Sequence, residues 1–184
     1  ELAGRRCAEE VEKLLLGISS SYSYAGGSVF GYMNLTGRMT ASITDPDDSG
    51  WTPKVLLSEV LGMKTACQAQ KHYGPWMLYF SPEWDTYLDD DFSTAKGDIT
   101  LRERLAKIQG IQEVATLDYL TSGTVLLVQM TSDVARMVIG MEIQTLQWES
   151  EGGMMLNFKV MGIMVPDLRR DFNGNGGIVH GTVA

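Results

Sequence analysis

The hydrophobic pattern is clearest between Met141 and Pro166. Ile143, Leu146 and Trp148 lead into Glu149-Ser-Glu-Gly-Gly153, and a second apolar run follows from Met154 to Val165. Two runs rich in β-branched, aromatic and long apolar residues around a polar turn with two glycines predict a β-hairpin. In the second run Leu156, Phe158 and Val160 alternate with Asn157, Lys159 and Met161, which predicts one buried face. From Val160 onward both faces are apolar, as in a strand running into a covered interior, and Pro166 is expected to stop it. On this reading a charge at Phe158 would abolish folding, and the turn at Ser150–Gly153 would accept polar substitution.

Elsewhere the period is helical. Ala3, Cys7, Val11 and Leu14/Leu15 recur at spacings of three and four opposite Glu9, Glu10, Glu12 and Lys13, predicting a packing helix over Glu1–Leu16 that Gly17 ends. Ser19–Gly31 reads as a loop of Ser, Tyr and Gly. Its glycines lack the Gly-Lys-Ser/Thr ending of a phosphate loop and follow no apolar strand, so nucleotide binding is not expected. Thr52-Pro53 opens a helix with stripe Leu56, Val60, Met63 and Cys67, running to about Lys71. Trp76–Phe80 predicts a buried strand, Ser81-Pro82 a short helix to Leu88, and Thr100-Leu-Arg-Glu103 a capping box that starts another helix. Ile111–Leu117 and Thr124–Met130 predict strands. Thr131–Val138 predicts a short turn of helix, and the chain after Pro166 is expected to fray. The order predicts an α+β fold: a first helix and a last hairpin form one scaffold, with a mixed helix-and-strand core of about 51–130 inserted between them.

Composition narrows the function classes. With 44 % apolar and 21 % charged residues the chain can build a core, and no apolar run approaches the ~20 residues of a membrane helix. No signal peptide is recognisable, and a formal charge of −8 argues against nucleic acid as a direct ligand. Cys7 and Cys67, sixty positions apart, make neither a disulfide framework nor a metal site and read as buried free thiols in a reducing compartment. The chain opens inside a helix without an initiator methionine, so preceding material is expected.

Candidate chemistry is thin. Asp45, Asp47 and Ser49 begin like a calcium loop, but the twelfth position is Leu56; Asp171, Asn173 and Asn175 begin another, with Thr182 at the twelfth. Both read better as turns. Asp89–Asp91 reads as a solvated run. The histidines are His72, at a helix end, and His180, in a tail expected to be mobile, and neither builds a nucleophilic constellation. No catalytic, cofactor-binding or metal residue is assigned and no cofactor is expected. Eleven methionines and four tryptophans read as core and contact surface.

Three stretches carry a resemblance. Glu9–Gly17 followed by Val29–Asn34 resembles the spine helix of tailed-bacteriophage major capsid proteins and its apolar Gly-x-x-Asn sequel. Gly74–Trp84 is similar to that family's axial strand-then-helix, and Glu151–Met161 to its returning strand. The set most resembles a prophage-type branch akin to encapsulin shells. The resemblance implies the Hong Kong phage capsid fold, with a peripheral domain from 1–50 and 131–184 and an axial domain over 51–130. It further implies a non-enzymatic role: the major capsid protein of a tailed phage or prophage, self-assembling through pentamers and hexamers into an icosahedral head. Portal or scaffold proteins would be further partners. Neither specific nucleic-acid binding nor membrane binding is implied, and the location is the virion, assembled in the bacterial cytoplasm. The family's N-terminal arm and extended loop, which carries the lysine of its Lys–Asn cross-link in some members, would precede Glu1. The alternatives are an encapsulin-like compartment shell and, from another class, a small soluble enzyme or ligand-binding module.

Overall fold

A computed structural model describes residues 2–18, 22–24, 26–93 and 99–183. In chain order the elements are α1 (Leu2–Leu16), β1 (Tyr22–Tyr24), β2 (Gly27–Val29), β3 (Met39–Ile43), α2 (Pro53–Ala69) and β4 (Trp76–Phe80). A 3-10 turn at Pro82–Trp84 leads to α3 (Asp85–Leu88), α4 (Leu101–Ala106), β5 (Ile111–Thr116) and β6 (Thr124–Gln129). The long strands β7 (Ala135–Ser150) and β8 (Met155–Leu168) follow, and then β9 (Ile178–Val183).

The central sheet has the order β3-β9-β6-β4-β5. β6 runs antiparallel to both of its neighbours, while β3 pairs parallel with β9 and β4 parallel with β5. All six residues of β6, Thr124-Val-Leu-Leu-Val-Gln129, are buried, as expected for a strand covered on both faces. Its alternate side chains divide the interior. Val125 and Leu127 join Leu78, Phe80, Val179 and the stripe Leu56, Val60, Met63 and Cys67 of α2 on one face, with Trp84, Leu88, Leu101 and Leu105. Leu126 and Val128 join Leu16, Tyr32, Leu35, Leu120, Val134 and Ile178 on the other. The α2 stripe, β4, the helix after Ser81 and the capping box all stand where the pattern placed them; Thr100 Oγ1 accepts the Glu103 amide at 3.3 Å.

Several local expectations are corrected. The segment after Pro166 does not fray: β9 is an interior strand of the sheet, and Ile178 and Val179 are fully or almost fully buried. β3, with its small and polar residues, was not anticipated. The sheet therefore draws strands from both sides of the 51–130 stretch, and the divisions at 50 and 130 do not follow it. Within the stretch read as a loop, β1 and β2 pair antiparallel. Thr131–Val134 makes only a turn, closed by Val134 N donating to Thr131 O at 3.0 Å, and β7 begins at Ala135. Pro166 does not end its strand either. It pairs with Met137, because each strand of a two-stranded ribbon has an open edge where a proline nitrogen needs no partner.

Candidate functional site

The hairpin β7–β8 is the largest feature outside the sheet, and its burial is the reverse of the sequence expectation. Phe158 is 62 % exposed, Leu156 50 % and Trp148 48 %. Of the large hydrophobics exposed among the described residues, Val138, Ile139, Leu146, Met154, Met155, Ile163 and Val165 also lie on this ribbon. Alternation marked the strands correctly; the apolar rows simply have no cover among the described residues. Exposed apolar surface of several hundred Å² marks an interaction site. Phe158→Asp is accordingly expected to fold, with its urea midpoint close to wild type, since surface changes stay within about 0.5 kcal/mol. An insoluble or non-cooperative variant would restore the buried-face reading. At the turn, Gly152 and Gly153 hold φ of 67° and 91°, so side chains there are strained whatever their polarity.

The base of the ribbon is tied to the sheet by α1. Cys7 Sγ lies 3.9 Å from Val160 O, and Cys7, Val11, Leu14, Ile143, Met161 and Met164 line a shallow apolar groove of about 460 Å³ between helix and hairpin. At its other end α1 plugs Leu16 into the second core. There the chain crosses itself at Gly17 and Gly31: Tyr32 N donates to Leu15 O at 2.9 Å and Met33 N to Leu16 O at 3.0 Å. Asn34 Oδ1 accepts the Gly31 amide at 2.6 Å. The Tyr32 and Met33 amides thereby satisfy carbonyls that a helix end leaves open.

At the end of the sheet where β3, β4 and β9 finish and β6 begins, loops after β3 and β4 frame an open acidic cleft lined by Asp45, Asp47, Glu83, Tyr87 and Ser122. Glu83 accepts from the Ser122 hydroxyl, the Gly123 amide and the Ser81 hydroxyl. The Ser122 hydrogen bond, ahead of the other two, holds its carboxyl below the usual range. A depressed carboxylate stabilises the fold above its unfolded-state pKa, and that contribution is lost as pH falls through the folded value. Glu83→Gln should therefore unfold at lower urea than wild type at pH 7, with the two midpoints converging as the pH falls below the ordinary glutamate range; an unchanged gap would show that ionisation is not what the loop uses. Arg102 bridges Asp85 and Asp89 nearby.

The residues weighed for chemistry have structural partners. His72 is buried, with Nδ1 2.9 Å from Gln129 Oε1. His180, on β9 rather than in a mobile tail, accepts from Arg38 Nε at 3.3 Å, and burial, then Arg38, lowers its pKa. Burial pushes the Cys67 thiol up to about 12. Asp45 Oδ1 accepts the Asp47 amide at 2.9 Å and Asp171 Oδ1 the Asn175 amide at 2.8 Å, so both calcium-like loops are turns held by their own aspartates. Among the described residues no group of three or more His, Cys, Asp or Glu is placed to hold a metal ion, and no helix is long and apolar enough to cross a membrane. Arg38, Glu83 and Gln129 were not singled out from sequence; isolated polar residues give no periodic signal.

A family profile described as "Family of unknown function (DUF6260)" matches residues 31–181. The chain belongs to that family. No curated protein matches the sequence. Among solved structures, the capsid of Myoviridae phage XM1 superposes with a TM-score of 0.70 at 10 % identity, covering 98 % of this chain and 62 % of that one. A virus-like particle from Pyrococcus furiosus superposes with a TM-score of 0.68 at 15 % identity, covering 94 % of this chain and 62 % of that one. This DUF6260 member thus has the α+β fold of these shell proteins, and it spans less than two thirds of the length of each.

Proposed function

We propose that the chain is a shell subunit: the major capsid protein of a tailed phage or prophage, many copies of which close into an icosahedral head. The observation that carries this is the joining of a capsid-type fold to a ribbon whose large apolar side chains are left exposed among the described residues. A protein that buries lateral surface against neighbours needs such a ribbon; a protein working alone is poorly served by it. Its role is structural rather than catalytic, its main partners are copies of itself in pentamers and hexamers, and portal or scaffold proteins join them at the head. Its place is the virion, after assembly in the bacterial cytoplasm. A net charge of −8 suits a container that must not adhere to packaged DNA. A compartment shell of the encapsulin kind is the second reading, favoured by the comparable superposition on the Pyrococcus particle.

Electron microscopy of the full-length protein is the test. Uniform closed shells are expected. A protein that remains monomeric at high concentration, alone and together with the other head proteins, would overturn the proposal. Nucleic acid or an enzyme inside the shells would separate the two readings.

A further inference from the structure

The outer half of the ribbon has two faces that complement each other. The register pairs Leu146 with Lys159, Trp148 with Asn157 and Ser150 with Met155, so these six side chains share one face. Thr145 with Val160, Gln147 with Phe158 and Glu149 with Leu156 share the other. Cross-strand partners lie on one side of a ribbon and alternate residues on opposite sides. On the first face Leu146 and Trp148 of β7 form an apolar row beside the polar Lys159 and Asn157 of β8, and the order reverses only at the tip, where Ser150 faces Met155. On the second the apolar row is on β8 and the polar row, with Glu149, on β7. Lys159 and Glu149 are both exposed, and neither joins an ion pair among the described residues.

We infer that this ribbon is gripped on both faces by two other copies of this chain, the Lys159 face of one copy meeting the Glu149 face of the next. The inference rests on the shell reading and gives it a specific contact. Charge decides between the possible pairings. Antiparallel contact between unlike faces sets apolar row against apolar row and Lys159 beside Glu149. Antiparallel contact between like faces also matches the apolar rows but gives neither Lys159 nor Glu149 an opposite charge, so it gains no electrostatic complementarity. An unlike-face contact is heterologous, so it propagates from copy to copy and does not end at a dimer.

The test uses full-length protein carrying Lys159→Glu, Glu149→Lys, or both. The critical concentration for assembly is measured by sedimentation, and folding is checked by urea midpoint. Each single change should leave the midpoint unchanged and raise the critical concentration about tenfold. The double exchange should return it to within about twofold of wild type. Trp148 emission should shift to the blue on assembly, and the shift should vanish in Trp148→Phe. If wild type assembles but the single changes do not alter its critical concentration, or the double exchange rescues nothing, the contact is overturned and the shell reading stands. Assembly without any change in Trp148 emission would likewise overturn the contact. A wild type that never assembles overturns both.

Discussion

Replacing Trp84 with alanine is expected to cost about 3–5 kcal/mol, the range for removing a large aromatic ring from a packed core. Trp84 has no exposed surface. Its ring centroid lies 5.8 Å from that of Phe80 and 6.4 Å from those of Trp51 and Tyr87. Tilted aromatic pairs at these separations add about 0.5–1.5 kcal/mol beyond area burial. The residue also sits where the chain leaves β4, so the cavity would open under both α3 and the sheet, where little nearby is free to collapse into it. Urea denaturation measures the effect. The midpoint should fall with the slope unchanged, and a loss below about 1 kcal/mol would mean that the site can repack around alanine.

Gly31→Ala is expected to be nearly as damaging, for a different reason. A Cβ at this position would overlap the backbone of Gly17, at both its nitrogen and its Cα, and the carbonyl of Leu15. None of these is the end of a flexible side chain, so the two backbone segments must move apart. Separating them breaks the Tyr32–Leu15 and Met33–Leu16 hydrogen bonds and draws Leu16 from the second core. Overpacking costs about 1–3 kcal/mol and each of the two hydrogen bonds about 1 kcal/mol, giving a loss of about 3–5 kcal/mol. Hydrogen exchange would locate it: amides at the end of α1 and in the Tyr32–Leu35 turn should lose protection ahead of β4 and β6. Uniform loss across the sheet would mean that the crossing is not a separable unit.

The sequence is most legible where the signal is local. The α2 stripe, the proline-opened helices and the capping box each rest on a few neighbouring residues, and each is present. It was least legible where strands pair across long separations. Met39-Thr-Ala-Ser-Ile43 has too little apolar content to announce a strand, and Ile178-Val-His-Gly-Thr-Val183 follows a glycine-rich turn and contains a glycine. Each is a strand because the other completes it, and no local pattern records that. The hairpin was misread differently. Its alternation showed which residues share a face, but Leu156 and Phe158 look the same in sequence whether they are covered by their own chain or left for another. The fold resemblance was legible through the order of three weak motifs. The complementary Lys159 and Glu149 faces needed the register, which shows that the two residues belong to opposite sides of the ribbon.

The position of β9 between β3 and β6 has a consequence for how the protein is made. On the ribosome β3 emerges early but lacks its pairing partner until β9 follows, long after β4, β5 and β6 are available. Sheet closure is a late, non-local step of the kind that slows folding. The two arms of the hairpin, by contrast, are consecutive in the chain and joined by a short turn, so they can zip on the microsecond scale of local hairpins. The sticky ribbon therefore forms before the body that should carry it is finished. During that interval neighbouring nascent chains can meet through the ribbon while β6 still has an open edge, a state prone to aggregation.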